Sequence, residues 1–340
     1  MPSKSPFVAV VLPVFNTARY LPECLDSLLN QTYSHFQIFA VDDGSYDSSG
    51  EILDQYAEMD KRLQVIHKAN AGVASARNLA LDVITASEVF EFVCFVDSDD
   101  VVVPEFIETL VQSLDEFDAE YCVCGVERYN QEAITFSGIT SYPKIPLNQI
   151  SALKHYCHID EWESFPSNIY MTSRIFAISL LKSVRFNESL KVTEDQDFIL
   201  RALLGLKKGV WIPNVLYRYR QRASSLSHSQ KSTMESSFLL AKLLLENSNK
   251  FPQELRHGLE MRVCSSWLAL ARQGYVRGGN AKRKQLNEFL EFILNNCDIN
   301  SLPKKYKKRF RIFALGKWAT YLYLFLFHSK SKSKTKRLFD

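Results

Sequence analysis

Long uninterrupted apolar runs are missing from this 340-residue sequence. The opening stretch MPSKSPFVAVVLPVF stops at Pro13, and IFALGKWATYLYLFLF (312–327) is broken by Lys317. A membrane-crossing helix needs about twenty predominantly apolar residues, so neither is expected to span. The amino terminus also lacks a small-residue cleavage site, which argues against a secretory signal. The seven cysteines are odd in number and have no paired metal spacing. Cys122 and Cys124 alternate in YCVCGV like two residues on one face of a strand. Buried free thiols in a reducing, cytoplasmic compartment are therefore expected. No internal repeat or low-complexity linker divides the chain. LPVFNTARYLPE is no Gly-rich loop with a basic residue, which a sugar-nucleotide nucleotidyltransferase would need there.

What is present is ordinary in amount and uneven in place. Hydrophobic residues make up 46%, charged residues 23%, and the net charge is +3. Residues 303–340 hold twelve Lys or Arg and one acid, Asp340, leaving the other 302 residues with 29 bases, 37 acids and a net −8. Such asymmetry points to an anionic partner at the basic end. There KKYKKRFR and HSKSKSKTKR flank the aromatic run 312–327. That pattern suits an interfacial helix held by anionic lipid; a last helix packed on the body is the alternative. Nucleic acid is not the expected partner, because the body is acidic and carries no nucleic-acid motif.

Four short apolar runs, 7–12, 36–41, 63–66 and 92–96, read as strands. Between them, Leu21, Cys24, Leu25 and Leu28, then Ile52, Leu53 and Tyr56, then Ala74, Leu79 and Val83, repeat at helical spacing. Alternating strands and helices predict an α/β fold with a mostly parallel central sheet. Ligands of such sheets bind beyond the carboxyl ends of the strands. PVFN, DDGS and DSDD all fall at that edge. Residues 128–166 read as less regular. TEDQDFILRALL predicts a helix, VWI and VLYRYR predict two short strands, and the chain beyond about residue 228 reads as helical. The predicted parts are 1–228, a helical region 229–302, and a basic-aromatic membrane-associating tail 303–340.

Asp97 and Asp99 in FVDSDD are two apart on an extended segment and point to one side. A Mg²⁺ or Mn²⁺ ion favours such oxygen ligands and bridges carboxylates to substrate phosphates; helix capping by Asp99 and Asp100 is the competing reading. Asp42 and Asp43 precede Gly44, which permits a tight turn. A carboxylate there can accept from a base N–H or a ribose hydroxyl; the competing reading is turn chemistry alone, with Asp47 or Ser45 capping the next helix. Arg77 in NAGVASARN could meet a base or diphosphate, or be a surface ion-pair residue.

VVLPVFN, YLPECLDSLLNQTY, VDDGSYDSSGEIL, NAGVASARNLAL and FVDSDD together resemble the nucleotide-binding half of family 2 glycosyltransferases, nearly continuously over residues 6–105. The resemblance implies a GT-A fold, a nucleotide-sugar donor, a divalent cation and inversion at the anomeric carbon. It implies that Asp43, with Asp42, holds the nucleotide base, that Asp97 approaches the ribose or a metal water, and that Asp99 ligates the metal. By the same resemblance Pro13, Val14, Asn16, Arg77 and Ser98 are expected in the same nucleotide-sugar site. An inverting transfer also needs a base for the acceptor hydroxyl. The TED triplet resembles the family's base motif, with Asp195 as base and Glu194 orienting the acceptor or supporting the loop; an N-terminal cap built with Thr193 and Asp197 is the alternative. YRYRQRASSLSH resembles a segment that closes over the donor diphosphate. Arg222 is assigned to the diphosphate and His228 to a further metal or phosphate contact, against a solvated basic loop.

The sequence lacks the QxxRW motif and the multiple spans of processive polysaccharide synthases. The expected activity is therefore transfer of one sugar per encounter. A UDP-sugar is the expected donor, and a glycan or lipid-linked acceptor of bacterial surface-glycan assembly the expected partner. Peripheral attachment at the cytoplasmic face of the membrane goes with it. The alternatives are a sugar-nucleotide nucleotidyltransferase and an inactive membrane-bound interaction protein; retention of Asp97, Asp99 and Asp195 together argues against the latter.

Overall fold

The computed structural model describes residues 5–129, 142–157, 171–190, 193–221, 279–300 and 304–315, with separate positions between 242 and 271. The chain divides into two compact units, Met1–His228 and Ser229–Asp340.

The first unit is built on one nine-stranded sheet. Its first half alternates β1 (Val8–Val14), α1 (Leu21–Leu29), β2 (Phe36–Asp42), α2 (Ser49–Met59), β3 (Leu63–His67), α3 (Val73–Ser87) and β4 (Phe92–Phe95). Strands β3, β2, β1 and β4 lie side by side and all run parallel. All seven residues of β1 are buried, as expected for a strand covered on both faces. Leu21, Cys24, Leu25 and Leu28 of α1 pack on it at helical spacing, and each is fully buried. The strand order reverses direction between β1 and β4. This switch point opens a crevice at the carboxyl ends.

The sheet continues through β5 (Val101–Val102), β6 (Tyr121–Tyr129), β7 (Ile145–Leu147), β8 (Arg174–Ala177) and β9 (Gly209–Arg220). Strand β8 runs antiparallel to β4 and β6, while β6 and β9 are parallel. Helices α4 (Phe106–Phe117), α5 (Gln149–Cys157), α6 (Ile178–Leu181) and α7 (Glu194–Leu203) complete the described part of this unit.

Two local readings need correction. VWI and VLYRYR form one twelve-residue strand, because β9 carries Pro213 and Asn214 past β6 by register shifts at Val123–Gly125 and Gly125–Val126. The stretch read as irregular contains β7, which pairs with β9, and α5, whose Ala152, Leu153 and Tyr156 are buried. The six cysteines with described side chains are buried free thiols, Cys122 and Cys124 among them.

In the second unit, α8 (Asn280–Asn296) and α9 (Lys304–Ala314) share a core centred on Trp267. The indole Nε1 donates to the Leu286 carbonyl at 3.0 Å, and Phe313 lies 4.9 Å from the indole by ring centroids. Phe310 and Phe313 are buried there. The segment expected to be a tail from 303 therefore contains a packed helix over Lys304–Ala314, and its remainder is the residues beyond Leu315. Those residues lie outside the described ones. Among the described residues no helix is long and apolar enough to cross a membrane.

Candidate active site

Parallel pairing brings the polar strand ends together. Val14 is level with Asp42, and Val11 is level with Phe95, so Asp97, two residues on, reaches the height of Pro13. The segment after β1 is stitched to the turn after β2. Asn16 adopts a left-handed backbone (φ +51°), which asparagine tolerates. Its Oδ1 accepts the Tyr46 N–H at 3.0 Å, and its own N–H donates to Ser45 Oγ at 3.0 Å. Ala18 N–H donates to Asp47 Oδ2 and Ser49 N–H to Asp47 Oδ1, so Asp47 serves the turn and the first turn of α2. Gly44 (φ +72°) has no alternative: a Cβ would sit 2.8 Å from the Asn70 nitrogen.

Asp42 Oδ1 accepts from Ser45 N–H, and Oδ2 faces His67 Nδ1, each at 3.0 Å. Burial works to raise this carboxyl, but the hydrogen bonds outweigh it and hold it below its ordinary value. Asp43 is enclosed by three donors: Lys68 Nζ at 2.6 Å, Ala71 N–H at 3.0 Å and Gly72 N–H at 2.7 Å. It fixes the loop that leads into α3 and thereby sets Arg77.

Arg77 is buried and joins two halves of the site. Its Nη2 donates to Asp97 Oδ1 at 2.8 Å, and its Nη1 to Glu194 Oε1 at 2.9 Å. The guanidinium also lies over the Phe186 ring, 5.2 Å from its centroid. Burial opposes the charge, yet Asp97 and Glu194 overcome it. Arg77 is thus not a surface residue, and two carboxylates 97 residues apart in sequence occupy its fork.

The DSDD turn divides its work. Ser98 Oγ accepts from Thr17 Oγ1 at 3.0 Å, tying it to the segment after β1. Asp100 is fully buried; its Oδ1 accepts from Arg220 N–H at 2.8 Å and its Oδ2 from the Tyr217 hydroxyl at 2.7 Å. Burial, then Asp99 and Asp97, push its carboxyl well above the ordinary range. Asp100 is a structural tie to β9, not a cap, since α4 begins at Phe106. Asp99 remains half-buried, and its carbonyl accepts from Arg220 Nε at 2.7 Å.

At the start of α7, Thr193 adopts φ +76°, a rare backbone for a β-branched residue and a mark of strain. It caps the helix through its backbone alone: the carbonyl accepts from Gln196 and Asp197 N–H, while its side chain makes no cap bond. Asp197 pairs with Arg201 instead of capping. Asp195 Oδ1 accepts the Gln196 N–H at 2.8 Å. Burial raises the Asp195 carboxyl against the pull of Arg77. Burial and the adjoining Asp195 push Glu194 up to about 7, with Arg77 opposing.

Among the described residues, no three His, Cys, Asp or Glu side chains are arranged to hold a metal ion by themselves. A Mg²⁺ or Mn²⁺ ion carried by a diphosphate needs only one or two protein carboxylates. Asp99 with Asp97 offers that number, and Arg77 alone cannot neutralise Asp97 and Glu194 when both are ionised. The donor set therefore fits a substrate-borne cation. Arg222 and His228 lie outside the described residues. Sequence reasoning missed Arg220, Tyr217 and His67. The antiparallel match of Val101 with Arg218 carries Arg220 to Asp99, a placement that only the pairing of β5 with β9 reveals.

Residues 9–173 match the family described as Glycosyl transferase family 2. Glycosyltransferase GlyA of Streptococcus pneumoniae serotype 4 is 33% identical over 224 residues, which is 65% of this chain but only 31% of GlyA. Glycosyltransferase GlyG of the same organism is 32% identical over 231 residues, 66% of this chain and 74% of GlyG. Among solved structures, residues 1–349 of S. aureus TarS in complex with UDP-GlcNAc superimpose with a TM-score of 0.70 at 20% identity, covering 96% of this chain and 92% of that one.

Proposed function

Since the chain belongs to glycosyl transferase family 2 and has a GT-A fold, we propose that it transfers one sugar, with inversion, from a UDP-sugar to a hydroxyl of a glycan or lipid-linked acceptor in bacterial surface-glycan synthesis. The observation that carries this reading is Arg77. By bonding Asp97 and Glu194 together it holds the donor-side carboxylates and the Glu194–Asp195 pair at one site. The UDP donor is supported by TarS, a protein of the same fold solved with UDP-GlcNAc.

In this reading the segment after β1 (Pro13, Val14, Asn16) and the Asp42–Asp43 turn receive the nucleoside, and Asp97 with Ser98 borders the ribose. Asp99 would hold a divalent cation, which when bound supplies positive charge to the leaving diphosphate. Asp195 accepts the proton of the acceptor hydroxyl as that oxygen attacks the anomeric carbon from the face opposite the leaving group. Glu194, fixed by Arg77, orients the acceptor side. Arg222 and His228 are assigned to the diphosphate end on sequence grounds.

Calorimetry with UDP, GDP and dTDP, with and without Mn²⁺, tests the donor half, and mass detection of products from a donor-by-donor screen tests transfer. UDP should bind only with the cation, and Asp99→Ala should abolish that dependence. Equal binding in the presence of a chelator would refute the metal assignment.

A further inference from the structure

His67 closes β3 beside Asp42, its register partner at the end of β2. Its Nδ1 lies 3.0 Å from Asp42 Oδ2, and its Nε2 lies 3.0 Å from Asp54 Oδ1 on α2. A neutral imidazole has one N–H and one lone pair, so it can donate to only one of these oxygens. The other nitrogen would set a lone pair against a carboxylate. Only the imidazolium satisfies both contacts. Asp42 from β2 and Asp54 from α2 are the charged groups that face the ring. The neighbouring Lys68 ammonium is engaged by Asp43 at 2.6 Å. Hydrogen bonds to Asp42 and then to Asp54 raise the ring above its ordinary 6.5.

The packing is tight on the Asp42 side of this arrangement. A Cβ on Gly50, in the first turn of α2, would come 3.2 Å from Asp42 Oδ2 and 3.5 Å from His67 Cε1. With Ser45 N–H on Oδ1 and the imidazolium on Oδ2, both oxygens of Asp42 are held. The ring charge also offsets a carboxylate at the strand edge proposed to receive an anionic nucleotide.

We infer that charged His67 is a positioning residue for nucleoside diphosphate binding, fixing Asp42 and cancelling its charge, so that loss of the ring proton weakens binding. This rests on the donor-site reading given above. When the proton leaves, one ring nitrogen no longer donates to its carboxylate, and Asp42 adds uncompensated negative charge at the strand edge proposed to receive the nucleotide.

UDP calorimetry on the full chain, with Mn²⁺ throughout, reads the effect between about pH 6.5 and about pH 8.5. Because half the ring is exposed, wild-type affinity should fall by about two- to fivefold across the window, the size of a half-exposed charge interaction. His67→Gln should bind at the weaker level throughout and lose the pH step, with melting curves reporting its fold. Asp54→Asn, altered at an exposed helix position, should move the step to lower pH by removing one of the two negative charges that favour the imidazolium. Parallel pH profiles for wild type and His67→Gln would overturn this inference and leave the donor reading standing. If His67→Gln does not fold, an unmoved step in Asp54→Asn overturns it. Absence of UDP binding at every pH overturns the donor reading and takes this inference with it.

Discussion

Arg77 places one positive charge between carboxylates from different parts of the chain, and both sides of the site depend on it. Removing one partner of a buried ion pair leaves the others desolvated without compensation. Glu194 is almost fully buried, but a third of the Asp97 side chain is exposed. The cost of Arg77→Gln is therefore set at the low end, about 2–3 kcal/mol, read as a lower denaturant midpoint. Arg77→Lys keeps the charge but not the two-pronged geometry, and should fall between. The same substitution has a pH signature. Burial already pushes Glu194 up to about 7, and Arg77 is what restrains it. Losing the guanidinium should move the rising limb of kcat/KM to higher pH, because more hydroxide is needed to ionise the Glu194–Asp195 pair. Asp195→Asn, which removes the base itself, should give no transfer at any pH. The sign for stability is opposite. The unfolded chain ionises Glu194 near 4.5 and the folded chain near 7, so this group's contribution declines as pH rises between those values and is level above them.

At the scale of elements, β9 holds the candidate metal turn in place. The Tyr217 hydroxyl accepts the Asp97 N–H at 3.1 Å and donates to buried Asp100 at 2.7 Å, while Arg220 closes the turn from the other side. Tyr217→Phe removes one hydroxyl but strands two groups, at a cost of about 1–3 kcal/mol. Thermal melts should show the loss, and the Mn²⁺-dependent part of UDP binding should weaken more than the cation-independent part. Unchanged cation dependence would mean that β9 does not set Asp99. These ties also explain what was legible in the sequence. The strands over 8–14, 36–42, 63–67 and 92–95 match apolar runs because parallel strands are buried on both faces and their pattern is local. Asp42, Asp97 and Asp99 follow from being the residues next after those runs. Arg77's bond to Glu194 and Tyr217's to Asp100 each span 117 residues, and no local periodicity encodes such a partner. The single strand β9 was hidden by Pro213, which interrupts the alternation although the strand continues through it. His67 ends a strand in sequence like any polar residue, and becomes informative only once two carboxylates are seen at its two nitrogens.

For the whole molecule, the question is how an acidic body and a basic end divide the work of the membrane attachment expected from the sequence. The twelve bases of residues 303–340 split evenly: six lie within 304–311 on α9 and six beyond Leu315. The first group is carried by a helix whose Phe310 and Phe313 are buried with Trp267. Truncation at residue 303 would therefore damage the second unit as well as any anchor, since emptying a buried Phe position costs about 3–5 kcal/mol. Truncation after Leu315 keeps Phe310 and Phe313 and removes WATYLYLFLF together with six bases. Each base near an anionic surface contributes about 1 kcal/mol that salt screens, while the apolar contribution is insensitive to salt. The chain ending at 315 should keep its melting temperature and lose the salt-resistant part of its binding to phosphatidylglycerol vesicles. A weaker, salt-sensitive residue of binding should persist through Lys304, Lys308 and Arg311, which are exposed on α9. Salt-resistant sedimentation of the truncated chain would place the anchor elsewhere on the protein, and loss of its cooperative melt would show that residues beyond 315 belong to the second unit's core.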